Sequence, residues 1–158
     1  MAYVAVVGPG AGSAGAELAE LLQDARAVGR GLASAGAVVV CGGLGGVMEV
    51  VAQGVSERGG QCVGLLPGRE RAEANRSLTL ALPTGLGEAR NWLVVCASDV
   101  VIAVGGGFGT LSEIALALRS QKPVVALRTW ELSDAADALH KAESAAEAVS
   151  MALRLAQQ

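Results

Sequence analysis

Hydrophobic positions along the chain fall into two alternating patterns. Short runs dense in β-branched residues, at 3–7, 37–41, 61–66, 78–82, 100–104 and 124–127, alternate with Ala- and Leu-rich stretches at 14–35, 47–58, 87–97 and 110–120. The short runs have strand length and are mostly apolar on both faces. Val100-Val101-Ile102-Ala103-Val104 is the clearest of them, and such runs suit parallel strands covered by helices on both sides. Each longer stretch follows a strand. The pattern therefore predicts an α/β fold, a Rossmann-like three-layer sandwich with a mainly parallel sheet of about six or seven strands. The first helix is expected to break near Gly29 or Gly31. Beyond Trp130, Leu139, Ala142, Ala146, Val149 and Leu153 fall at helical spacing, which predicts a helical tail over 130–158 that packs on the domain or on a second subunit.

A length of 158 residues fits one domain, 1–158, able to bury a core without disulfides or metal. Twelve Lys and Arg against 15 Asp and Glu leave a net charge of −3, so no general nucleic-acid footprint is expected. Cys41, Cys62 and Cys96 are odd in number, far apart and set in apolar runs, which reads as reduced core thiols in a cytoplasmic protein. The first strand begins at Tyr3, leaving no room for a signal peptide. No run approaches the ~18 apolar residues of a membrane span, so no membrane partner is expected either.

Glycine changes the picture, with 22 copies and no collagen-like period. Three strand ends run into glycine-rich turns that open onto helices: Gly8-Pro9-Gly10-Ala11-Gly12-Ser13, Gly42-Gly43-Leu44-Gly45-Gly46, and Gly105-Gly106-Gly107-Phe108-Gly109-Thr110. In an open parallel sheet, ligands bind beyond the carboxyl ends of the strands. Backbone N–H groups at a glycine turn, together with a helix N-terminus, suit a phosphate. One such turn is often only tight packing; three converging turns point to a phosphorylated ligand. The dinucleotide pattern fits poorly, because the second strand ends in Cys41-Gly42-Gly43 where a ribose-binding acid is expected, and no P-loop Gly-Lys-Ser/Thr is present.

The densest chemistry lies in Gly87-Glu88-Ala89-Arg90-Asn91 and in Gly105 to Glu113. Spacing leaves two readings of Glu113: a helix-capping carboxylate, with Thr110 as N-cap and Glu113 three residues on, or a site residue. Arg90 alone reads equally as a surface ion-pair partner.

Gly106-Gly107-Phe108-Gly109-Thr110-Leu111-Ser112-Glu113 resembles the Pro-Gly-Gly-x-Gly-Thr-x-x-Glu signature of the Lonely Guy (LOG) family, nucleoside 5'-monophosphate phosphoribohydrolases long mislabelled lysine decarboxylases. Arg90 precedes Glu113 by 23 positions, similar to the family's spacing of its catalytic Arg and Glu. The segments Gly42 to Glu49 and Val63-Gly64-Leu65-Leu66-Pro67 are also similar. The resemblance covers most of the chain from Tyr3 to Leu127. Two positions depart from it: the signature proline is Gly105 here, and the lysine after the arginine is Asn91. In both respects the chain is closer to a bacterial sister group that also resembles molybdenum cofactor carrier proteins.

The resemblance implies hydrolysis of the N-glycosidic bond of a nucleoside 5'-monophosphate, with Glu113 and Arg90 as catalytic residues and a homodimer as the minimal unit. A purine nucleotide such as AMP, or another phosphorylated small molecule, is the expected partner. Its phosphate is expected over the Gly105 to Thr110 turn, on Gly106, Gly107, Gly109 and Thr110, helped by Gly10, Ser13, Gly43 and Asn91. No cofactor and no divalent metal is expected. The alternative is a carrier that uses the same pocket without chemistry, for a nucleotide or for the molybdenum cofactor. Lysine decarboxylation is rejected, because Lys122 and Lys141 both lie away from the glycine turns. The single histidine, His140, falls in the tail and supports no acid–base scheme. Pro67-Gly68-Arg69-Glu70-Arg71, with Asn75 and Arg76, reads as a solvated loop or as a flap over the pocket. Trp92 and Trp130 read as core or interface.

Overall fold

The computed structural model describes residues 1–12 and 17–158. Its elements in chain order are β1 (Tyr3–Val7), α1 (Leu18–Ser34), β2 (Val38–Cys41), α2 (Val47–Ser56), β3 (Gln61–Leu66), β4 (Leu80–Pro83), α3 (Arg90–Cys96), β5 (Val100–Val104), α4 (Phe108–Arg119), β6 (Val124–Leu127), β7 (Leu139–Ala142) and α5 (Ala145–Leu155). One sheet runs in the order β4-β3-β2-β1-β5-β6-β7, and every pairing in it is parallel. The chain winds outward from β1 in one direction through β4, then returns to β1's other edge at β5. That reversal makes β1/β5 the switch point, where the turns after the two strands splay apart and leave a crevice.

Side-chain alternation splits the core in two. Val4, Val6, Val39, Cys41, Ile102 and Val104 face α1, α2 and α5. Ala5, Val7, Val40, Val101 and Ala103 face Val94 and Val95 of α3 and Ile114 and Ala117 of α4. The strands are thus buried on both faces, as their continuous apolar runs require. Among the described residues, no helix is long and apolar enough to cross a membrane.

Four expectations are corrected. Helix α1 does not break, because Gly29 faces α2 and lets the two helices approach closely; a Cβ there would overlap Val51 O. The tail is not all helix: Leu139–Ala142 pairs with β6 as a seventh strand, and its four residues are too few for helical and strand periods to be told apart. Helix α4 begins at Phe108, two residues before the position read as its N-cap. Cys96, at the end of α3, is exposed, whereas Cys41 and Cys62 are buried with their sulfurs 3.9 Å apart.

Candidate functional site

A cavity of about 270 Å³ lies at the β1/β5 crevice. Its walls come from the ends of β1 and β2, the turn Gly8 to Gly10, the start of α3 with the single 3-10 turn before it, and the start of α4. Of the residues expected in the site, Gly10, Arg90, Asn91, Gly107, Gly109, Thr110 and Glu113 line it. Gly43 and Gly106 lie outside the lining, Gly43 packing against Leu66 and Gly64 and Gly106 against Trp130. Ser13 lies outside the described residues.

Local structure explains how α4 reaches the cavity. Gly105 has φ of +74°, and its N–H donates to Leu127 O on the neighbouring strand. A proline, fixed near −65° and without that N–H, fits neither condition, which accounts for the departure from the LOG signature. Gly107 is the N-cap in extended conformation and provides no capping side chain. Its carbonyl accepts the Leu111 N–H at 2.9 Å and Trp130 Nε1–H at 3.1 Å. The indole therefore pins the turn from outside. Gly107, Gly109 and Thr110, at the start of this 12-residue helix and so at the positive end of its dipole, line the cavity.

Thr110 and Glu113 sit one turn apart on the inward face of α4. With the N-cap at Gly107, Glu113 falls in the second turn, so the capping reading fails. Glu113 and Arg90 are each 7% exposed and Thr110 is 2% exposed. Arg90 Nε and Thr110 Oγ1 are buried without a hydrogen-bond partner among the described residues. Thr129 Oγ1, outside the cavity lining, is likewise buried without a partner among the described residues.

Arg90 enters from the first residue of α3 and lies across Gly42, where a Cβ would overlap the guanidinium. The second glycine turn thus makes room for a side chain rather than for a phosphate. Burial pushes the Glu113 carboxyl up to about 7, against the opposing pull of Arg90's charge. Burial likewise lowers Arg90, while Glu113, Cys41 and Glu88 favour its charged form. No ion pair joins Arg90 to Glu113 among the described residues. The result is a carboxyl that titrates near neutrality beside a fixed cation, the property expected of a group that holds and moves a proton.

Sequence reasoning missed Glu88 and Met48 as lining residues. Glu88 had a signal, since it lies two residues before Arg90 on the same turn. Met48, reaching back from α2, had none. Lys122 stands at the opposite edge of the sheet, where its Nζ donates to Cys96 O and Ser98 O. Lys141, on β7, pairs with Glu131, and His140 beside it opens onto a second cavity at that opposite edge. Asn75 braces the second glycine turn through Leu44 O and Gly43 O.

A parallel sheet with a cavity at its switch point defines a Rossmann-like fold. The chain belongs to the SLOG cluster4 family, which it matches over residues 1–155, in keeping with the LOG resemblance. A relative from Archaeoglobus fulgidus, an uncharacterized protein, is 44% identical over 109 residues, 69% of this chain and 72% of that one. Among solved structures, the molybdenum cofactor carrier protein of Chlamydomonas reinhardtii is similar at 33% identity and a TM-score of 0.89, covering 100% of both chains. The molybdenum cofactor binding protein of Rippkaea orientalis is similar at 34% identity and a TM-score of 0.88, covering 98% of this chain and 96% of that one.

Proposed function

We propose that the cavity takes a nucleoside 5'-monophosphate and hydrolyses its N-glycosidic bond, releasing free base and ribose 5-phosphate. The observation that carries this is the pair Arg90 and Glu113, both buried, not paired with each other, and lining the same cavity as the start of α4. The phosphate lies over the α4 amides. The sugar then lies against Glu113. As the C1'–N bond breaks, positive charge grows on the sugar, and an ionised carboxylate in a dry cavity stabilises that charge more than the ground state. Glu113 takes a proton from the attacking water, whose oxygen bonds C1'; the base leaves with the electron pair of the broken C1'–N bond and accepts that proton from Glu113, which returns to its carboxylate form. Arg90 holds the Glu113 carboxylate and the substrate in place.

The experiment is incubation of purified protein with a panel of nucleoside monophosphates and detection of free base. Base release that disappears in Glu113→Gln supports the reading; unchanged turnover in that variant rejects the mechanism. The likeness to molybdenum cofactor binding and carrier proteins favours a second reading, a carrier of a phosphorylated pterin-like ligand. It is supported instead by a pterin that copurifies and no base released from any nucleotide. The proposal includes a homodimer through α3 and α4, supported by the exposed Trp92 beside Leu116. Sedimentation as a monomer at micromolar concentration removes it.

A further inference from the structure

Strand β6 ends at Leu127, and the three residues after it run against the third glycine turn. Gly105 N–H donates to Leu127 O at 3.1 Å. Arg128 adopts φ of +51°, uncommon for a residue with a side chain, and its guanidinium reaches Asp24 Oδ2 at 2.7 Å and Glu20 at 3.3 Å on α1. From this tethered segment the Trp130 indole lies against the turn without lining the cavity. A Cβ on Gly106 would stand 3.2 Å from the indole nitrogen, so that glycine leaves room for the ring, and Phe108 packs on it with ring centroids 5.9 Å apart.

The indole contact ends on one peptide group. Trp130 Nε1–H donates to Gly107 O at 3.1 Å, and Leu111 N–H donates to the same oxygen at 2.9 Å. In a planar trans peptide the Gly107 C=O and the Phe108 N–H point in opposite directions. Fixing the carbonyl therefore fixes that N–H. With Gly107 as N-cap, the amides of Phe108, Gly109 and Thr110 are the first-turn donors for which the helix itself has no acceptor. Gly107 and Gly109, on either side of Phe108, line the cavity. A carbonyl that accepts a hydrogen bond also polarises its own peptide, so the N–H at the other end becomes a stronger donor.

Building on the nucleotide reading above, we propose that Trp130 is a positioning residue for the phosphate: its indole N–H, without touching the ligand, aims and strengthens the Phe108 N–H through the Gly107 carbonyl. The ring of Trp130 serves packing, and its nitrogen serves ligand affinity.

The test is calorimetry of AMP, inorganic phosphate and adenosine on the wild-type protein and on Trp130→Phe, which keeps an aromatic ring beside Phe108 and removes the donor. Trp130→Phe should weaken AMP and inorganic phosphate by the same factor, about fivefold, the scale of one hydrogen bond, and leave adenosine unchanged. Equal weakening of all three ligands makes Trp130 a merely structural residue and overturns the proposal; so does weakening of none. A second measurement needs no change at Trp130. The chain has two tryptophans, and their indole N–H signals in a nitrogen-15 NMR spectrum are assigned with Trp92→Phe. The Trp130 signal should shift on saturation with inorganic phosphate and stay in place with adenosine. A signal that phosphate does not move overturns the proposal while leaving the nucleotide site standing. Wild-type protein that binds neither AMP nor inorganic phosphate overturns the nucleotide reading itself.

Discussion

The α1–α2 helix pair and the α3–α4 edge of the cavity are built from the same materials, glycines at close approaches and an Arg/Glu set, with opposite results. In the helix pair, Gly29 lies against Val51 O and Gly54 against Arg26 O, so two backbones fill the space that a side chain would occupy. On its solvent side, Arg26 and Arg30 both bind Glu57. Hydrogen bonds from these two arginines hold the Glu57 carboxyl at about 2, well below the usual range. At the cavity edge, Gly42 yields its space to a guanidinium, and burial carries Glu113 up to about 7 with no bonded partner among the described residues. Satisfied, solvent-facing groups contribute little beyond solubility. Unsatisfied, desolvated groups hold chemistry in reserve for a ligand.

The sharpest break of this comparison is kinetic. Glu113→Gln should lower base release about a thousandfold while leaving AMP binding largely intact, the scale of losing one preorganised charge. In wild type, kcat/KM should rise with pH through about 7 as Glu113 ionises. A flat profile assigns the proton transfer to another group.

The stability effect comes next. Glu113 goes from an ordinary 4.5 in the unfolded chain to about 7 in the fold. The folded state therefore binds more protons between these values, and stability is kept at low pH and lost as pH rises through 7. Glu113→Gln removes that loss. Its stability relative to wild type should grow by about 2 kcal/mol between about pH 5.5 and about pH 8.5, read from paired denaturant melts. A constant difference would place Glu113 in contact with water.

Two alanine substitutions sharpen the comparison further. Gly29→Ala should destabilise by about 2 kcal/mol, because α1 and α2 must part, without changing ligand affinity. Gly42→Ala should cost a similar amount and, by displacing Arg90, also weaken AMP or phosphate binding about tenfold. Equal ligand affinity in the two variants would break the assignment of Gly42 to Arg90. The smallest effect is expected for Glu57→Gln, with ligand binding unchanged and the melting temperature hardly moved, since its ion pairs face solvent.

Much of this was legible in the chain. Apolar runs buried on both faces announce a parallel sheet, because only helices on both sides can cover them. The glycine turns fall at the carboxyl edge of the sheet as expected, whereas Arg90 and Glu113 stood out only through the LOG resemblance, since spacing alone left each with a second reading. The sequence could not sort the glycines by task. Gly42, Gly43 and Gly105 look alike along the chain and serve, respectively, a guanidinium, a strand contact and a left-handed bend.

The two Ser/Thr-x-x-Glu segments draw the boundary most clearly. Ser144 to Glu147 is a cap: Ser144 Oγ accepts the Glu147 N–H at 3.2 Å, and Glu147 Oε2 accepts the Glu143 N–H at 2.9 Å. Thr110 to Glu113 has the same spacing but lies inside α4, with both side chains turned into the crevice. Spacing is local and fixes only which residues share a helix face. Where that helix begins depends on Trp130 holding Gly107 O, and how far Glu113 titrates depends on the walls that exclude water from it. The walls come from segments as far apart in the chain as Val6 and Glu113, so the sequence determined the residues and the sheet, and the tertiary structure alone decided their electrostatics.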